Sequence, residues 1–414
     1  MNQLNRRVVI TGLGTLNPLG NDVAATWQRV INGESGIAPI THFDAANFKT
    51  RIAGEVKNFD PNALFGRKEA RRMSRATQLG LAAAAQALAD ANLTITDDNR
   101  DRIGVIVGSG MGSLDPIVDN LKLLNERGAG RISPFFVPMM IADTPAAMIS
   151  IQFGLRGPNM SVATACATGN NAIGEAAVTI LRGAAEIMLA GGTEASILPI
   201  AIGGFSQMGA LSVRNEEPEA ASRPFSLDRD GFVASEGAGI LLLEERGHAI
   251  ARGAAIYGEL LGYGASADAY HISTPCPNGE GAIRAMRCAL SDAGLQPRDI
   301  DYINAHGTST KVNDVGETAA IKTVFGEYAY SLPVSSTKSI HGHLMGAAGA
   351  LEAIICLKSM AAGIVPPTIN SHLADPACDL DYVPNVMRKT AVDITMSNGF
   401  GFGGHNAVLI FGRY

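Results

Sequence analysis

Ala87-Leu88-Ala89-Asp90-Ala91-Asn92-Leu93 recurs, lightly altered, as Ala289-Leu290-Ser291-Asp292-Ala293-Gly294-Leu295. Each copy closes an Ala-rich helical stretch and precedes an aliphatic run. These runs are Ile103–Val107, ending in Gly108-Ser109-Gly110, and Ile300–Ala305, ending in His306-Gly307-Thr308. Self-similarity at a long period marks a duplicated unit. Further along, Ser161–Cys166 matches Val334–Ser339 as a strand-to-helix junction, and Gly237–Leu243 matches Gly403–Ile410 as a closing strand. The offset shrinks between matches, so the first copy carries about 29 extra residues between Gly110 and Ser161, placed to cap a pocket or form a subunit contact. Glycine-bounded β-branched runs such as Val8–Gly14 and Ile187–Gly192 alternate with helical patterns, as buried strands of an α/β sheet do. The expected fold is α/β, in two related βα halves at 1–252 and 253–414. Their equivalent strand ends should meet about a pseudo-twofold axis.

Composition narrows the function. Of 414 residues, 46% are hydrophobic, 17% charged and 6% aromatic, which excludes a disordered or coiled-coil chain. A net charge of −6 speaks against nucleic-acid binding through global positive charge, so an acidic partner must meet a local patch. Five cysteines without a CxxC pair fit neither a disulfide framework nor a structural zinc site, and point to a reducing compartment. The N-terminus enters a strand-like run without a hydrophobic leader, so a cytoplasmic location is expected. The most apolar stretch, Ile197–Val213, is broken by Pro199 and several glycines and falls short of a membrane span.

Cys166 ends a β-like run and opens a helix-like one whose apolar face is Ile173, Ala177, Ile180 and Leu181. A thiol at a helix N-terminus should have a lowered pKa, as a nucleophile needs; the alternative is a small buried hydrophobe. His306 follows a strand, where α/β proteins place functional groups, and Thr308 and Thr310 add hydroxyls beside it. His341 and His343 lack the i, i+4 spacing and nearby carboxylates of a metal pair, so no metal is expected and His341 reads as a spectator. Lys338 needs a carboxylate if buried, with Glu352 the candidate. The stretch Asn398–Gly404 is a glycine loop with aromatics Phe400 and Phe402, able to offer a backbone N–H and move a ring, or simply a tight turn.

Taken in order, Cys166 in Ala-Thr-Ala-Cys-Ala-Thr-Gly, His306 in His-Gly-Thr-Ser-Thr, Lys338 and His343 in Lys-Ser-x-x-Gly-His, and Gly-Phe-Gly-Gly at 401–404 resemble the β-ketoacyl-[acyl-carrier-protein] synthases. The likeness is nearest to the bacterial elongating type, synthase II, and runs from Arg7 to Phe411. Ser222–Phe225, Arg229–Phe232 and Asp268–His271 match as well. The resemblance implies a thiolase-like fold in five αβαβα layers, a homodimer, and extension of an acyl chain by malonyl-[acyl-carrier-protein] with loss of CO2. It implies that Cys166 carries the acyl group, that His306 and His343 bind the malonyl thioester oxygen, and that Lys338 organises them. The N–H groups of Cys166 and Phe402 would form the oxyanion hole. Phe402 would be the gate beside the Asp268–Ser273 loop. Met111, Phe205 and Phe400 would bind substrate, and Thr308 and Thr310 the phosphopantetheine arm, which arrives on the carrier, so no separate cofactor is implied. Lys68, Arg71 and Arg72 form a basic cluster suited to the acidic carrier protein.

Three positions depart from the family pattern: His341 where Thr is common, Gly399 where Ser is usual, and Gly209 where a carrier-contacting Arg often stands. Three rival readings are a thiolase, a non-condensing partner subunit and a cysteine hydrolase. The first needs a second cysteine within 398–404, the second should lack the nucleophile, and the third leaves one histidine and the lysine without a role.

Overall fold

Residues 6–414 are described by the computed structural model; Met1–Asn5, the start of the segment read for a leader, lie outside the described residues. The aliphatic runs become strands β1 (Val8–Leu16), β2 (Ile103–Gly108), β3 (Asn159–Met160), β4 (Ile187–Glu194), β5 (Gly237–Glu245), β6 (Gly258–Ala267), β7 (Tyr302–Asn304), β8 (Val334–Ser335), β9 (Ile394–Gly401) and β10 (His405–Gly412). They join in one sheet in the order β8-β7-β9-β10-β6-β1-β5-β4-β2-β3. Each strand in the first half has its counterpart five labels on. β1, β5 and β4 run antiparallel in sequence, with β2 and β3 parallel to β4; β6, β10, β9, β7 and β8 repeat that pattern. Among the described residues, only the short β1·β6 pairing, Val8–Ile10 against Gly258–Leu260, joins the half-sheets.

Helices α1 (Arg75–Asp90) and α2 (Thr144–Phe153) cover the outer face of the first half-sheet, and α4 (Glu280–Ala293), with α5 (Lys311–Phe325) against it, covers the second. Between the half-sheets lie α3 (Thr168–Leu181) and α6 (Ala348–Ala362), each touching strands of both. This is the expected five-layered arrangement. A helix pressed from both sides must be apolar nearly all round. Accordingly Ile173, Ala176 and Ile180 of α3 share one core with Ala350, Ala353, Ile354 and Leu357 of α6. Leu181, read as part of the α3 face, is instead 41% exposed. The helical run long and apolar enough to cross a membrane is Met345–Ala362, not Ile197–Val213, and 83% of it is buried as this central layer.

One sequence match needs correction. Ser161–Cys166 does not align with Val334–Ser339: the register makes Asn159–Met160 the counterpart of Val334–Ser335, and in the second half a short helix, Lys338–His341, intervenes before α6. The turns that enter the central helices are Ala165–Ala167 and Met345–Ala347, opened by left-handed Ala165 (φ 49°) and Met345 (φ 46°). Cys166 therefore corresponds to Gly346, not Ser339. The extra residues of the first half fold as helices Leu114–Arg127 and Phe136–Met140 before α2, and leave Leu121 and Val137 exposed.

Candidate active site

The loops after β2 and β7, the turn entering α3 and the β9–β10 connection converge on a cavity of about 750 Å³. Met111, Cys166, Phe205, His306, Thr308, Thr310, His343, Phe400 and Phe402 all line it. Lys338 stands behind the wall, fully buried. Lys68, Arg71 and Arg72 lie apart, with Arg67 and Phe135, around a separate shallow recess.

Cys166 sits in the strained turn before α3, at the edge of an apolar cluster with Ile197, Ile202, Phe232 and Met345. Burial pushes its thiol up to about 12, against the pull of the Lys338 charge and the Phe402 N–H that points at Sγ. The expectation of a lowered pKa counted the helix terminus but not the loss of water. The resting group is the thiol. Gly401 keeps the backbone side of this turn open: a Cβ there would lie 2.6 Å from the Thr164 carbonyl oxygen and 3.0 Å from Cys166 N. No side chain fits without closing the approach to the Cys166 N–H. Beyond it, the Gly403 N–H donates to the Ile272 carbonyl (2.7 Å) and the Asp268 N–H to that of Gly404 (2.8 Å), tying the Phe402 turn to the 268–273 loop.

His343 is fixed by main-chain pairing beside Ala234: its N–H donates to Val233 and its carbonyl accepts from Ser235. His306 is held from below by Glu317, whose carboxylate accepts the N–H groups of His306 (2.8 Å) and Gly307 (2.7 Å). The two rings stand 5.5 Å apart at 84°. Nδ1 of each is buried without a partner, and a proton there would be an unsatisfied donor. Energetics therefore places the proton on Nε2 of both. Burial first, then the Lys338 charge, lowers both pKa values well below the ordinary histidine range. The pair is neutral and donating.

Lys338 pairs with Glu352 across the central layer, as the sequence reading anticipated, each 1% exposed in its side chain. Burial lifts Glu352 to about 7 despite the lysine. His341 is structural: its Nδ1 donates to the Gly342 carbonyl (2.7 Å), its Nε2 accepts from the Thr337 hydroxyl (3.0 Å), and burial holds its pKa down at about 3. A Cβ at Gly399 would meet Asn170 Oδ1 at 2.4 Å, so a side chain there needs the Asn170 amide to move. Gly209 lines the cavity in a left-handed conformation with open space around it, so no side chain reaches from there. Asn304 Oδ1, Glu352 Oε2, Ser397 Oγ and Asn398 Oδ1 are each buried without a protein hydrogen-bond partner. Glu317, which holds the His306 loop and accepts from the Asn398 amide (3.1 Å), escaped the sequence reading. The only signal was a carboxylate on the helix after His306.

The three depressed histidines give a stability prediction. In the unfolded chain they titrate near 6.5, in the fold well below it, so the unfolded state binds more protons as pH falls. Their contribution is full above about pH 6.5 and falls below it, by up to about 1.4 kcal/mol per histidine per pH unit. Glu194 and Glu352, raised to about 7 by burial, take up protons in the fold over the same range and oppose it. The histidine part is therefore read by difference: urea midpoints of His341→Asn should fall less than those of the wild type between about pH 6.5 and 5, and an equal fall would contradict the neutral assignment.

Against known proteins, the family model described as β-ketoacyl synthase, N-terminal domain, matches residues 5–249, and that of the C-terminal domain matches residues 257–372. A 3-oxoacyl-[acyl-carrier-protein] synthase 2 of Synechocystis sp. is 51% identical over 409 residues, covering 99% of this chain and 98% of that protein. Among solved structures, the ishigamide ketosynthase/chain length factor superposes with a TM-score of 0.92 at 39% identity, covering 99% of each chain. A type II PKS acyl-carrier protein in complex with its ketosynthase, bound to the hexaketide, gives 0.91 at 37%, again covering 99% of each.

Proposed function

The chain belongs to the β-ketoacyl synthase family, and from that premise we propose how its residues carry out the condensation. It is an acyltransferase of the 3-oxoacyl-[acyl-carrier-protein] synthase 2 type: it joins an acyl group to malonyl-[acyl-carrier-protein] in fatty-acid elongation, releasing CO2. The observation that carries the assignment of roles is the meeting of Cys166, His306 and His343 in one cavity.

Cys166 Sγ attacks the acyl thioester carbon, and the C–S bond to the first carrier breaks. The thiol proton ends on the departing carrier thiol, so the exchange balances overall; the attacking thiolate is a minor form of the buried thiol, favoured by the Lys338 charge and the Phe402 N–H. The acyl oxygen lies against the N–H groups of Cys166 and Phe402, the approach that Gly401 keeps clear. In the second half-reaction the malonyl C–C bond to the carboxylate breaks, CO2 departs, and its electron pair forms an enolate stabilised by two neutral N–H donors, His306 and His343. The enolate carbon attacks the acyl carbon, and Cys166 is released and reprotonated. Lys338 acts through its charge, which adds to burial in holding both rings neutral. Met111, Phe205 and Phe400 would face the acyl chain and Thr308 and Thr310, whose hydroxyls bond each other at 2.9 Å, the phosphopantetheine arm. Phosphopantetheine arrives on the carrier and no separate cofactor enters these steps. Mixing with acyl-[acyl-carrier-protein] should add the acyl mass to the Cys166 peptide. Malonyl-[acyl-carrier-protein] should then discharge it as a 3-oxoacyl carrier two carbons longer. Hydrolysis alone would favour a hydrolase, and no adduct a non-condensing subunit.

The carrier protein docks, in this reading, on the recess of Lys68, Arg71 and Arg72. Arg67 adds a charge there, and Arg72 stacks over Phe135 at 4.6 Å. Lys68→Glu with Arg71→Glu is expected to raise KM for the carrier at least about tenfold at low salt, with kcat nearly unchanged. An unchanged KM would move the docking site elsewhere. In this reading the homodimer forms on the open edge strand β3 and exposed apolar residues of the preceding segment, such as Leu121, Val137 and Ile151; sedimentation at the mass of two chains checks it. The halves are divided at 252–253, in the turn before β6. All five cysteines are free, which supports a cytoplasmic setting.

A further inference from the structure

The sheet register makes Gly401 the counterpart of Glu194: each ends its strand and pairs with the first residue of the next, His405 and Gly237 respectively. Gly401 lies against the turn of Cys166, and Glu194 lies against the equivalent turn of Gly346. At the first turn the missing side chain leaves the N–H approachable. At the second the Glu194 carboxylate fills the space: it is fully buried, and it accepts Ser109 Oγ–H (2.8 Å), Gly110 N–H (2.8 Å), Gly346 N–H (3.0 Å) and the Met111 N–H. Nor can Gly346 carry a nucleophile, since a Cβ there would lie 2.2 Å from Gly110 N.

We propose that the duplicated fold contains a second anion hole, pseudo-equivalent to the one beside Cys166, and that Glu194 closes it from within as a positioning residue. The carboxylate replaces the acyl oxygen that the hole would otherwise face. By doing so it pins Gly110 and Met111, which line the cavity, and Gly110 in turn packs on the Ala165 carbonyl of the nucleophile's turn, 3.0 Å from where its Cβ would be. The hole itself is read from geometry. Its effect on acyl selection rests on the synthase reading given above.

The test uses Glu194→Ala and Glu194→Gln in the full chain, with sodium formate as the probe and sodium chloride at equal ionic strength as control. Removing the carboxylate opens a hole of three N–H donors, so formate should raise the melting temperature of Glu194→Ala and leave the wild type unmoved. No formate-specific shift overturns the anion hole, whatever the enzyme catalyses, and a marginally stable Ala variant still reports it. With acyl carriers of graded length, Glu194→Ala should lose at least tenfold in kcat/KM for its preferred chain and regain part of it in formate. Glu194→Gln keeps an acceptor in place and should retain the wild-type chain preference. A Gln variant whose preference shifts as the Ala variant's does, or an Ala variant with an unchanged preference, overturns the positioning role.

Discussion

Cys166→Ala is expected to abolish the acyl adduct and lower condensation by at least about 10⁴-fold, the scale on which removing a covalent nucleophile acts. The substitution is small and its site is already packed among Ile197, Ile202, Phe232 and Met345, so the variant should fold. Decarboxylation of the malonyl carrier should continue, because His306 and His343 take their positions from Glu317 and from pairing beside Ala234, not from the thiol. Peptide mass spectrometry and CO2 release measured on the same variant separate the two half-reactions. An acyl adduct persisting in the alanine variant would move the nucleophile to another residue. Loss of CO2 release along with the adduct would show that the histidines depend on the thiol.

Lys338→Met removes the partner of a fully buried carboxylate, and Glu352 already has one oxygen, Oε2, without a hydrogen bond. Breaking such a pair costs about 3–5 kcal/mol while the remaining charge stays ionised. The sign with pH follows from the direction of the shift. Burial raises the Glu352 pKa to about 7 even beside the lysine, and without it the pKa rises further. The folded state then holds a proton that the unfolded state gives up above about 4.3, so the variant should lose stability as pH rises from 5 to 8. The double change Lys338→Met, Glu352→Gln should recover much of the loss, and urea midpoints around the cycle read the coupling. Activity should fall in both, since the charge that helps to hold His306 and His343 neutral is gone. A single variant as stable as the wild type at pH 8 would mean that the pair contributes nothing to the fold.

Much of the fold was legible because duplication leaves its trace in periodic apolar runs. The strands at Val8, Ile103, Ile187 and Gly237, the central helices and the Lys338–Glu352 pair follow from runs and spacings that a linear reading can count. Where a local insertion broke the period the reading slipped. The helix Lys338–His341 shifted the counterpart of Cys166 from Ser339 to Gly346, and nothing in the residues 336–346 announces that shift. Helical spacing puts Leu181 on the apolar face of α3, yet it lies exposed at the end of that helix.

The sequence by itself determined which chemistry this protein carries: residue types such as a thiol after Ala-Thr-Ala, two histidines in glycine loops and a lysine before Gly-His are local facts, and their order along the chain is specific. Only the tertiary structure decided how those groups ionise and what surrounds them. Desolvation depends on every element packed around a group, so the direction of the Cys166 shift could not be read from its place at a helix start. The same holds for Glu194 and Gly401, far apart along the chain but equivalent in the fold: one fills a turn with a carboxylate and the other leaves its twin open. Which of two related turns becomes reactive is settled by what the opposite strand end places against it.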